Sequence, residues 1–157
     1  MTSDIDDRTV AYVLDSQPIF EDLKQVAAQL AGLLVLHATG SSTAAPDHPM
    51  LTTASRQLEH SADAVARLRT SVTGRARQHH DDLRHAASAL RDALAATKRE
   101  LAKPAADLDA PLAPLREAYA RLQDAASALP GFQMVSFEQA CCSQVSGGRP
   151  ISRRAGC

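Results

Sequence analysis

At 157 residues and a formal net charge of −1, the chain is long enough to bury one core and carries no excess charge for a polyanion. Its 45% hydrophobic share comes mostly from Ala and Leu, with 3% aromatic residues and no Trp, so helix and a thin core are favoured over a wide ligand cavity. The most apolar window, residues 26–38, is shorter than the roughly 20 residues a membrane span needs.

The chain opens on Asp4, Asp6 and Asp7, acidic where a secretory signal would be basic. Its cysteines, Cys141, Cys142 and Cys157, cluster at the far end and are odd in number, which makes no disulfide framework. The expectation is a cytoplasmic protein with reduced thiols and neither nucleic-acid nor membrane-spanning character.

Residues 1–17 hold a short apolar patch at Val10, Tyr12, Val13 and Leu14, enough for a one- or two-turn helix. Pro18 suits the first position of a helix, where its missing N–H costs nothing, and Glu21 and Asp22 suit the positive end of the helix dipole. Ile19, Leu23, Val26, Ala27, Leu30, Leu33, Leu34 and His37 then share one face. Val35 and Leu36 make the end of this helix apolar nearly all round, and residues 40–49 form a loop.

From Pro49 to Pro104 there is no internal proline and a single glycine, Gly74. Asp47 or His48 supplies the cap and Pro49 the first helical position. The apolar stripe is Leu51, Ala54, Leu58, Ala62, Val65, Leu68, Val72, Ala76, His79, Leu83, Ala87, Leu90, Leu94 and Leu101, which stays in one arc about 120° wide when wound at about 100° per residue. A strict heptad repeat would drift, so a globular bundle is favoured over a long supercoil. The shared phase across Gly74 favours one continuous helix. Thr70, Val72, Thr73 and Gly74 are weak helix formers, and a break there would give an up-down four-helix bundle.

Pro104 begins a second turn, Asp109 can cap, and Pro111 or Pro114 can open the last helix. Its stripe is Leu108, Leu112, Leu115, Tyr119, Leu122, Ala126 and Leu129, and Pro130-Gly131 stops it. Residues 132–157 lack Leu, hold Phe132, Phe137 and every Cys, and read as a partly disordered tail after a helical domain over residues 1–131.

The expected fold is all-α, an antiparallel helical bundle built on one long central helix. Short loops force antiparallel neighbours, and the start of the first helix and the end of the last both arrive near Gly74. The acidic N-terminal segment and the tail should therefore meet there.

Few residues suggest chemistry. Arg67, Arg69, Arg75 and Arg77 scatter around the helix instead of gathering into a nucleic-acid-binding face. His79, His80, Asp82 and His85 form the densest ligand cluster, and Cys141 or Cys142 could complete a zinc set, although no Cys-x-x-Cys spacing exists. His79 itself falls on the apolar arc, at the edge of the core. No Glu-x-x-His, His-Glu-x-x-His, phosphate-binding glycine loop or Gly-x-Ser-x-Gly is present.

The sequence thus points to a non-enzymatic interaction protein (an adaptor, subunit or oligomeric scaffold) with an exposed Phe132, Met134 and Phe137 as anchors for a protein partner or for self-association. Two alternatives stand beside it. One is a metal- or redox-responsive His/Cys module; the other is an amphipathic surface-coating protein of the phasin type, an analogy of helix type and alanine content without a shared motif.

Overall fold

Tyr12, Ser16, Ile19, Leu23, Val26, Leu30 and Leu33 are all buried, so an alternation of four and three residues starts well before Pro18 and passes through it. In a computed structural model that describes residues 7–40, 46–68 and 74–134, this face belongs to a single helix, α1 (Asp7–Ala38). Pro18 therefore lies inside α1 and does not open it. An interior proline removes one backbone bond and costs about 3 kcal/mol. Burial of Tyr12 and Ser16 on the N-terminal side and of Ile19 and Phe20 on the other offsets that cost. Ser16 can be buried because its hydroxyl donates to the Tyr12 carbonyl at 2.7 Å.

α2 (Pro49–Arg67) begins as its sequence indicates: Pro49 occupies the first turn and the His48 ring Nδ1 accepts from the Met50 N–H at 3.1 Å. It ends at Leu68, whose ψ of 134° takes the backbone out of the helical region. α3 (Arg75–Leu101) starts after Gly74, which has φ +59° and ψ −129°. That region suits glycine and few other residues. The long helix is therefore broken at Gly74. The described members of its stripe are nonetheless buried on both sides of the break, from Leu51 to Leu101. In a hairpin each arm turns its own stripe to the core, so a shared phase does not require a continuous helix.

α4 (Asp109–Ala128) follows a turn held by Glu100, whose carboxylate accepts from Lys103 Nζ at 2.6 Å and from the Asp107 N–H at 2.9 Å. These two bonds hold the Glu100 carboxyl below its usual range, the Lys103 bond being the larger cause. Asp107 in turn accepts from the Asp109 N–H, and Pro111 lies in the first turn.

The helices run up, down, up and down. Early α2 meets late α3 through Lys98 and Ser55, and late α4 meets early α3 through Arg121 and Asp82. α1 and α3 touch each other across the bundle, with α2 and α4 on opposite sides of that pair. Among the described residues there is no strand, and no helix is long and apolar enough to cross a membrane.

The most extensive pairing is α3 with α4. It uses a second seam on α3, separate from the leucine stripe: Asp82, Ala86, Ala89, Ala93, Ala96 and Glu100, all buried and alternating four and three. α4 answers with Pro111, Leu115, Ala118, Leu122, Ala125 and Leu129, in the same alternation. Alanines at these positions let two helix axes approach to the short end of the usual spacing of about 8–10 Å. Leu108, Leu112, Tyr119 and Ala126 of the expected α4 stripe are only half-buried and flank this face.

Candidate functional site: an apolar groove beside a buried histidine

Two features lie on the α1–α4 side of the bundle. The first is the junction where early α1 and the residues just after α4 reach early α3. His79 is fully buried, and its Nδ1 shares a hydrogen bond of 2.8 Å with the Tyr12 hydroxyl of α1. The rings of Tyr12, Phe20 and Phe132 surround it, with centroids at 5.6, 6.3 and 4.2 Å. Phe132 also packs edge-on against Phe20 at 5.2 Å. Burial, and secondarily the neighbouring His80, push the His79 pKa down to about 4. Burial raises that of the Tyr12 phenol. Both groups are thus neutral at ordinary pH, and His79 Nε2 has no hydrogen-bond partner among the described residues.

Tyr12, early in α1, and Phe132, just after α4, do meet at His79, near the start of α3, whereas residues 1–6 and the cysteine-bearing part of the tail lie outside the described residues. They meet through a packed aromatic cluster. Phe132 is consequently not exposed: with 6% of its surface accessible it belongs to the core, and the expectation of a free anchor at this position is corrected. Phe132 is the last buried member of the core among the described residues. Met134 is half-buried against the core. Phe137 lies outside the described residues.

The histidine cluster does not converge. His79 and His80 are consecutive and point about 100° apart on α3. His79 faces Tyr12 of α1, while His80 donates through Nε2 to the Val65 carbonyl of α2 at 3.1 Å, closing the α2–α3 hairpin. His79 is therefore in the interior, not at the edge of the core. Asp82 sits at one end of the α3–α4 seam, 3.7 Å from Arg121, and its other carboxylate oxygen is buried without a hydrogen-bond partner among the described residues. Burial, then the nearby Asp124, raise its pKa. His85 is exposed on the outer face. Among the described residues no three His, Cys, Asp or Glu side chains form a group that could hold a metal ion. Cys141 and Cys142 lie outside the described residues.

The second feature is a groove of about 640 Å³ between α1 and α4, the least extensively packed pair of adjacent helices. Ala27, Ala28 and Ala31 of α1 form its floor, and Leu112, Leu115 and Tyr119 of α4 its wall. Met134 also lines it, and Lys24 and Arg116 are the charged residues of the lining. Lys24 also spans from α1 to the chain beyond α4, donating to the Gln133 carbonyl at 2.9 Å and pairing with Glu21 at 3.0 Å.

Ala28, Ala31 and Val35 are exposed and spaced three and four apart, so they continue one apolar face of α1 beyond the groove. This face does not stand out in the sequence as the leucine faces do, because an alanine row carries little hydropathic contrast. The half-buried Leu112 and Tyr119 were the available signal: they belong to the α4 stripe yet lie off the face that packs on α3. Comparison with protein-family models, with curated proteins and with solved structures finds no match.

Proposed function

We propose that this chain is a non-enzymatic, cytoplasmic interaction protein, an adaptor or subunit that receives an amphipathic helical segment of a protein partner in the α1–α4 groove. The observation that carries the reading is the groove itself: an apolar channel with an alanine floor on one helix and a Leu/Tyr wall on the other. Small floor residues let a helix backbone approach closely, and the flanking side chains supply pockets for residues spaced three and four apart. Lys24 and Arg116 favour acidic residues beside the apolar ones. A contiguous apolar surface of this kind on a bundle marks interaction sites.

Affinity capture with the intact chain and with the A28E/A31E double variant tests it. Both positions are exposed, so helicity by circular dichroism should be unchanged. The expected result is a protein recovered by the intact chain and lost with the variant. Identical captures by both, or none by either, would contradict the reading.

A further inference from the structure

We infer that the helical segment the groove receives is α1 of a second copy of this chain, in an antiparallel two-fold pair. The inference rests on the interaction reading and deepens it, since it names the partner.

The outer face of α1 carries the argument. Among the described residues, the large hydrophobic side chains left exposed all lie on α1, at Val10, Leu14, Val35 and Leu36. Three of them share one face with the groove floor. Val10, Leu14, Ala28, Ala31 and Val35 are all exposed, and they fall within an arc about 100° wide. Gln17, Glu21 and Lys24 occupy the same arc between them, so the spacing alternates four and three from residue 10 to residue 35. A row of that spacing is the seam along which two helices pair.

The row is complementary to its own reverse. Laid antiparallel about a two-fold axis between Asp22 and Leu23, Val10 faces Val35 of the second copy and Leu14 faces Ala31. Gln17 then faces Ala28, and Glu21 faces Lys24. Each contact occurs twice, as a two-fold interface requires. The larger side chains of the N-terminal half thus meet the alanine floor of the other copy, and opposite charges cross at the centre. A parallel pair would instead set Glu21 against Glu21 and Lys24 against Lys24, which is unfavourable. Lys24 is held on this face by its bonds to Glu21 and to the Gln133 carbonyl.

A single helix pair lies at the small, transient end of protein interfaces, below about 1,200 Å². Dilute protein should therefore be a folded monomer that pairs as its concentration rises.

Sedimentation equilibrium of the full-length chain tests the pair. The expected result is a monomer–dimer equilibrium whose dissociation constant rises roughly tenfold or more with Leu14→Glu, and likewise with A28E/A31E, at unchanged helicity. Orientation is read by disulfide cross-linking with Cys141, Cys142 and Cys157 changed to Ser. Residues 10 and 35 of one helix stand about 37 Å apart. Val10→Cys and Val35→Cys chains should therefore cross-link when mixed, and neither should do so alone.

A monomer at every concentration would overturn the inference, as would a dimer indifferent to Leu14→Glu or cross-linked by either chain alone. The two readings fail differently. A monomeric chain that still captures another protein, lost only with A28E/A31E, keeps the groove's helical partner and removes the second copy. A monomeric chain that captures nothing removes both.

Discussion

α4 packs on both α1 and α3, and the two contacts are built differently. Against α3 it presents Leu115, Ala118, Leu122 and Ala125 to an alanine seam, in the most extensive pairing of the bundle. Against α1 the packing is the least extensive of any adjacent pair, and Leu112 and Tyr119 are left half-buried beside the groove. Alanine occurs on both sides with opposite consequences. Where facing residues interdigitate, small side chains bring helices together. Where the opposite helix stands away, they leave a channel. Composition supplies the small residues, and the distance between helix axes decides which role they take.

The closed end of the α1–α4 side should respond most strongly to change. Phe132→Ala removes a ring that touches both Phe20 and His79, and should cost about 3–5 kcal/mol in urea unfolding. Leu14→Ala, on the exposed side of α1, should change stability by less than about 0.5 kcal/mol. Similar losses at the two positions would remove Phe132 from the core and weaken the distinction between the packed end and the open groove.

His79 gives a second, somewhat smaller effect. Unfolded, its imidazole takes up a proton near its ordinary value of 6.5; folded, it does so only at about 4. The unfolded state therefore binds more protons in that window. Stability should fall as pH drops from about 6.5 towards 4, by on the order of 3 kcal/mol for this group. In unfolding curves across this range, His79→Gln should show a shallower acid loss than the parent chain. An unchanged slope would mean that the aromatic junction is wet.

Much of the fold was legible in the sequence because burial follows periodicity. The stripe from Leu51 to Leu101 is buried at every described position, and the cap at His48 and the turn near Pro104 fall where the residue types require. Three features were not legible, each for a physical reason. Gly74 could serve as a tolerated helix glycine or a positive-φ turn residue, and no side chain meets its Cβ position to discriminate. Pro18 is a start signal unless packing on both sides holds the helix through it, and Ser16 hid that packing by placing a polar residue on the core face.

The alanine seam on α3 and the alanine floor on α1 carry the same residue type, so nothing local distinguishes closed from open. As for the site, Met134 was legible as an apolar residue after α4. Phe132 proved to be core, and the groove needed the relative placement of α1 and α4, which no single helix encodes.

The contrast between seam and groove is tested most directly by the same substitution on each side. Ala93 of α3 is fully buried and Ala31 of α1 is exposed on the groove floor. Ala93→Leu should overpack the seam and cost about 1–3 kcal/mol in urea unfolding. Ala31→Leu should leave stability within about 0.5 kcal/mol of the parent chain. Equal losses would show that the α1–α4 side is as tightly closed as the seam, and the docking groove would fall with it.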